Sequence, residues 1–167
     1  MQPELETLCR VLEEEQGILS DLLAAQARER EALVRLETVP LVDAVNRIEP
    51  VIGRLALVEQ ARVALTRRLG VDLGIPEDGL DLRAIALRVG EPYRERLLDL
   101  RSATQAAAKS LSRANELNEA LAVQGIDHVE LLLSALLGGV DNPGTYTKSG
   151  VGTASATGPR RIIDQVV

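Results

Sequence analysis

Aromatic side chains are almost absent from this chain of 167 residues. It contains no Phe and no Trp, and Tyr93 and Tyr146 are its only tyrosines. Leu and Ala are abundant instead, with 28 and 20 copies. Because β-sandwiches and barrels draw heavily on aromatic and β-branched residues, we expect an aliphatic core made by helices that pack on helices.

Cysteine and histidine are equally scarce. Cys9 and His128 are single copies, so an internal disulfide is excluded. A zinc site or a di-iron bundle needs several His, Cys or carboxylate ligands at fixed spacing. The sequence has no Glu-x-x-His pair and no convincing Ser-His-Asp set. We therefore predict a protein that is not an enzyme and that binds no metal or other cofactor.

Charge and hydropathy exclude two further classes of function. A net charge of −6 at pH 7 repels the phosphate backbone of nucleic acid. The first residues lack the basic start and apolar stretch of a signal peptide. The longest Leu-rich run, Val129 to Leu137, is far shorter than the roughly 20 apolar residues of a membrane span. These features predict a cytoplasmic protein with no nucleic-acid partner and no direct membrane insertion.

The first 69 residues carry the pattern of two long helices. Apolar residues at gaps of three, four and seven predict a helix over 3–37, with the run Glu13–Glu15 on its solvent-exposed face. A second helix is predicted over 39–69, with Thr38 placed to cap its start and Gly70 its end. A connection this short makes the two helices antiparallel. The pair predicts a coiled-coil-like hairpin.

The remaining elements follow from turn residues and proline. Pro50 and Gly53 lie inside the second helix and predict a kink there or a break near Ile48. Turn-forming residues fill 70–79, and a short helix is predicted over 80–89. A third long helix is predicted over 91–137, opened by a proline and weakened by Gly125.

The composition changes after the third helix. Six of the 13 glycines lie between Gly138 and Gly158, among Pro, Ser and Thr residues. Such a segment buries too little apolar surface to offset its ordering entropy. The sequence therefore predicts an all-α fold, with a helical domain over 1–138 and a flexible C-terminal tail over 139–167.

The Leu-rich end of the third helix is the first candidate for function. Leu131, Leu132 and Leu133 point in three directions about 100° apart, so one neighbouring hairpin does not cover all of them. Either two flanking helices enclose them in a three-helix core, or an apolar face stays open for an external amphipathic helix.

Two polar features accompany it. Asn115 and Asn118 are either an ordinary, partly solvated pair or polar positions that fix the register of a helical contact. Tyr146 stands in the glycine-rich tail, where it is either an unremarkable tail residue or an anchor for a partner protein.

Taken in order, these elements resemble the FlgN family of flagellar type III export chaperones over roughly residues 4–155. The resemblance is carried by Arg28-Glu29-Arg30-Glu31, Leu55-x-x-x-Glu59-x-x-Arg62-x-x-Leu65, Asn115-Glu116-Leu117-Asn118-x-x-Leu121, the Leu-rich block, and Tyr146-x-x-x-Gly150. It implies a cytosolic chaperone that binds the amphipathic terminal helices of hook-associated (hook–filament junction) proteins, prevents their premature assembly and delivers them to the export gate.

The resemblance also implies residue roles. The positions that match the substrate-binding helix of the family are Asn118, Leu121, Val129, Leu132, Leu133, Leu136 and Leu137. Tyr146 matches the tail tyrosine associated with docking to the cytosolic domain of the export-gate membrane protein. The alternative hypothesis is a coiled-coil scaffold or adaptor with no export role, which forms a homodimer through the same apolar stripe.

Overall fold

The computed structural model describes residues 1–137, and within them every long element is helical. The elements are α1 (Gln2–Arg35), α2 (Thr38–Asp72), a 3-10 turn (Glu77–Gly79), α3 (Leu82–Arg88) and α4 (Tyr93–Leu137). The predicted all-α class, with its long hairpin, short helix and further long helix, is confirmed. The predicted tail lies outside the described residues.

α1 and α2 form the antiparallel hairpin. Only Leu36 and Glu37 connect them, and Leu36 takes a left-handed backbone conformation with φ of 55°. The backbone N–H of Glu37 then donates to the carbonyl of Ala32, which closes the end of α1. Glu37, and not Thr38, occupies the N-cap position of α2.

Two expectations about α2 are wrong. The predicted break near Ile48 does not occur: α2 is one helix through Pro50, with Ala44 and Leu55 buried on either side of that proline. Gly70 does not end the helix, which continues to Asp72, and the left-handed residue is Gly74, with φ of 64°. Gly70 instead faces Leu80 closely: a Cβ there would lie 2.6 Å from Cδ1 of Leu80, so the Leu80 side chain would have to shift.

A third correction concerns the acidic run on α1. Glu13 and Glu14 are exposed as expected, but Glu15 is buried between the hairpin helices. Its Oε2 lies 3.2 Å from Nε of Arg62, which is also buried. Burial raises the pKa of Glu15, and the positive charge of Arg62 opposes that rise. Three consecutive residues on a helix span about 200°, so one of them reaches the core side.

α3 closes the end of the hairpin where the chain begins. Asp81 caps α3 by accepting a hydrogen bond of 2.6 Å from the backbone N–H of Ala84. The apolar side of α3 packs into a core shared by α1, α2 and α4, comprising Leu5, Leu8, Cys9, Leu12, Leu69, Leu82, Ile85, Ala86, Val89, Leu97 and Leu100.

α4 returns along α1 in the parallel direction. Near its start, Arg96 binds Glu6 and Glu13 of α1 at 3.0 and 2.7 Å. Further along, Nε of Arg30 donates to Oδ1 of Asn118. Residue numbers therefore rise together on both helices. α1 is the central helix, with α2 and α4 on its two sides.

Candidate functional site

A polar layer joins α1 and α4 near the hairpin turn. Asn118 is 3% exposed, and its Nδ2 donates to the backbone carbonyl of Gln26 and to Oε2 of Glu29, both at 2.9 Å. Its Oδ1 accepts from Nε of Arg30 at 3.1 Å. Next to it, Nε2 of Gln26 donates to Oδ1 of Asn115 at 2.8 Å. Such a buried amide fixes the register of two helices, because a shifted register leaves its polar atoms unpaired.

Asn118 belongs to a heptad stripe that runs the length of α4. The members of this heptad stripe are Leu97, Thr104, Leu111, Asn118, Gly125 and Leu132. The first four are buried against the hairpin. Leu132, one heptad beyond Gly125, is 49% exposed. The stripe is therefore longer than the surface that covers it.

The end of α1 explains where the cover stops. A Cβ placed on Gly125 would lie 3.7 Å from Cδ2 of Leu36, the first residue after α1. Because α4 runs parallel to α1, residues 126–137 extend past the hairpin turn. At 1.5 Å per residue, this distal segment of α4 is about 18 Å long.

The distal segment presents an apolar strip to solvent. At 100° per residue, six of its apolar side chains occupy an arc of about 140° that continues the heptad stripe, and Leu131, also exposed, lies outside that arc. The strip consists of Ile126, Val129, Leu132, Leu133, Leu136 and Leu137, all of them exposed, with Leu136 at 78%.

The structure separates the predicted substrate-binding residues into two groups. Val129, Leu132, Leu133, Leu136 and Leu137 lie together on the apolar strip, and Leu121 is half-buried just before it. Asn118 lies in the polar layer against α1. Tyr146 lies outside the described residues. Sequence reasoning missed Ile126, although its spacing of three and seven residues from Val129 and Leu133 places it on the same arc.

Two kinds of reactive group are relevant within residues 1–137, a metal centre and a cysteine nucleophile. This part of the chain contains no group of three or more His, Cys, Asp or Glu side chains that could hold a metal ion. Its lone thiol, Cys9, is buried in the core, and burial raises the pKa of that thiol. A buried thiol that holds its proton is a poor nucleophile.

By length and composition alone, α4 contains a stretch apolar enough to cross a membrane, and none of that stretch is buried. An exposed apolar helix fits either a lipid or a protein partner on this criterion. The composition by itself does not choose between them.

Comparison with known proteins settles the family. Residues 1–153 match the sequence model of the family described as FlgN protein. The chain belongs to the FlgN family. Searches of curated proteins and of solved structures find no match to it. This FlgN chain is accordingly a non-enzymatic flagellar export chaperone for hook-associated proteins, and FlgN chaperones are cytosolic proteins.

Proposed function

We propose that the distal segment of α4 binds the amphipathic terminal helix of a hook-associated protein. The observation that carries this proposal is the heptad stripe, which continues from Asn118 to Leu132 after its cover, α1, has ended. A guest helix placed there packs on Leu132 and its neighbours in the way that α1 packs on Leu111. Leu121 is half-buried and lies at the junction between the two contacts.

The apolar strip is large enough for a reversible complex. Full burial of one Leu side chain contributes about 1.5–3 kcal/mol. Leu132 and Leu133 are already about half covered by their own helix, whereas Leu136 and Leu137 are more than 70% exposed. Part of the gain offsets the cost of association and of ordering the guest. We infer that binding masks an aggregation-prone terminus, prevents premature assembly, and remains easy to reverse.

Delivery to the export gate is the second part of the proposal. Tyr146 is assigned to docking on the cytosolic domain of the export-gate membrane protein, which separates the gate contact from the guest contact along the chain. Support comes from the family membership and from its position 14 residues after Leu132. Tyr146→Ala should leave guest binding unchanged and weaken capture by the gate domain in a pull-down. Equal capture would refute this role.

The guest contact is tested by replacing leucines of the apolar strip with aspartate. We expect Leu132→Asp and Leu136→Asp each to reduce affinity for purified hook-associated proteins at least tenfold, because a charge replaces buried apolar surface. Helical circular dichroism and the melting temperature should change little, since both side chains lack cover in the free chain. Leu57→Asp is the matched control, because Leu57 is 67% exposed on α2.

The scaffold hypothesis uses the same surface and is tested in the same samples. If the apolar strip served only self-association, sedimentation would show a tight dimer that Leu132→Asp converts to a monomer, and no hook-associated protein would bind. Binding of wild-type chain to a hook-associated protein at the same strip supports the chaperone contact, whether or not the free chain is a homodimer.

A further inference from the structure

The distal half of α4 has charge of one sign only. From residue 114 to residue 137 the helix contains no Lys and no Arg, although it contains Glu116, Glu119, Asp127 and Glu130. Residues 11–27 of α1 likewise lack Lys and Arg, but there other helices supply the cations, with Arg96 paired to Glu13 and Arg62 to Glu15. The distal half of α4 therefore combines an absence of cations with the part of the chain where the guest helix is placed.

Three of these acids line one side of the apolar strip. At 100° per residue, all four acids fall within an arc of about 80° that begins where the strip ends. Glu116 is the farthest from the strip along α4 and accepts a hydrogen bond from Ser112, whereas Glu119 lies one heptad before Ile126. The opposite side of the strip carries no acidic residue and includes Gln124, His128 and Ala135. We call Glu119, Asp127 and Glu130 the acidic edge.

The acidic edge is available to a partner. All three side chains are exposed. Among the ion pairs within residues 1–137, none involves any of the three. By comparison, Arg47 pairs with Asp43 and Arg35 with Glu31 on the hairpin. The carboxylates of the acidic edge therefore have no cation of their own to compete with an incoming one.

From this arrangement we propose that the acidic edge selects guest helices that carry Lys or Arg along one flank of their apolar face. The inference rests on the proposed function and specifies its substrate class. In paired helices, charges beside the apolar contact decide which partner is accepted, through attraction to opposite charge and repulsion of like charge. A guest with acidic flanks would face three carboxylates at the same edge.

Binding of designed peptides to the full chain measures this selection. Three amphipathic peptides of equal length share one leucine face and differ only at the flank, which carries Lys, Gln or Glu. Exposed ion pairs contribute little individually, so three of them should favour the Lys peptide over the Gln peptide by about three- to tenfold. The preference should disappear between roughly 0.1 M and 1 M salt, where the Debye length falls from about 10 Å to 3 Å.

Two triple variants with the same change in net charge complete the test. Glu119→Gln/Asp127→Asn/Glu130→Gln should remove the preference for the Lys peptide. Glu14→Gln/Asp21→Asn/Asp99→Asn changes exposed acids away from the strip and should retain it. Equal affinity of the wild-type chain for all three peptides at low salt, or a preference that survives the first triple variant, would overturn the selection.

A Leu132→Asp arm separates this inference from the proposed function. If Leu132→Asp abolishes binding of all three peptides while the wild-type chain does not distinguish their flanks, the strip is the binding site and only the charge selection fails. If Leu132→Asp binds every peptide as the wild-type chain does, the proposed binding site itself is refuted.

Discussion

Replacing Asn118 tests whether the polar layer sets the position of α4 on α1. Asn118→Ala removes three hydrogen bonds, to Gln26, Glu29 and Arg30. Asn118→Asp keeps the shape of the side chain and the acceptor for Arg30. It replaces the Nδ2 donor with an oxygen that faces the Gln26 carbonyl and the Glu29 carboxylate, each 2.9 Å from the present nitrogen.

The magnitudes follow from what each variant leaves behind. A neutral hydrogen bond contributes about 0.5–1.5 kcal/mol, and one to a charged group about 1.5–3 kcal/mol. Glu29 and Arg30 are half-buried and recover part of their hydration when Asn118 is truncated. We therefore expect Asn118→Ala to lower the free energy of unfolding by about 2 kcal/mol. Asn118→Asp should cost about 3 kcal/mol or more, because it adds repulsion to the lost bonds.

Urea denaturation followed by circular dichroism measures both values. Asn115→Ala is the control on the same helix, since Asn115 is exposed and makes one hydrogen bond, to Gln26. It should cost less than about 1 kcal/mol. If Asn118→Ala and Asn118→Asp both cost no more than this control, the polar layer does not fix the register of α4. The position of the distal segment would then need another explanation.

Three further predictions concern the hairpin. Arg62→Met should lower the free energy of unfolding by about 3 kcal/mol, because it leaves the buried carboxylate of Glu15 without its cation. In the same urea assay, the double variant Glu15→Leu/Arg62→Met should recover most of that loss. Burial raises the pKa of Glu15, so the folded state holds this proton more tightly than the unfolded state. The free energy of unfolding of the wild-type chain should therefore fall relative to that of Glu15→Gln as pH rises above 4.5. Parallel plots of this free energy against pH for the two chains would contradict the argument. Gly17→Ala should raise the free energy of unfolding by up to about 1 kcal/mol, since a Cβ there meets nothing within 4 Å on α1. Gly74→Ala should lower it, since Gly74 has φ of 64°; equal effects would refute the backbone argument.

Helix content and hairpin pairing were predictable because both are local. Apolar spacing indicates which residues of a helix face a partner. A two-residue connection between long helices makes the second helix antiparallel to the first. Local rules failed where tertiary contact decided the outcome. Pro50 is tolerated because packing on both sides holds α2 together, and Gly70 serves a close approach to Leu80 that no helix-capping rule describes.

The candidate site was predictable in its chemistry and not in its boundaries. The Leu-rich composition of α4 indicated an apolar surface, but composition does not state which helix covers it or where that cover ends. The direction of α4 along α1 is a long-range property, set by pairs such as Arg96 with Glu13 and Asn118 with Arg30. A heptad count from Leu97 to Leu132 indicates one continuous stripe. The stripe is divided into a covered and an exposed part only because α1 ends beside Gly125.

The lack of cover over the distal segment affects the kinetics of carrying a cargo. The distal segment has no tertiary cover, so its helix depends on its own backbone hydrogen bonds and on its continuity with the rest of α4. If a guest helix binds there as proposed, part of the binding free energy goes into ordering the distal segment as well as the guest. On the proposed function, this cost lowers the affinity for the cargo, which favours its release without unfolding of the three-helix body.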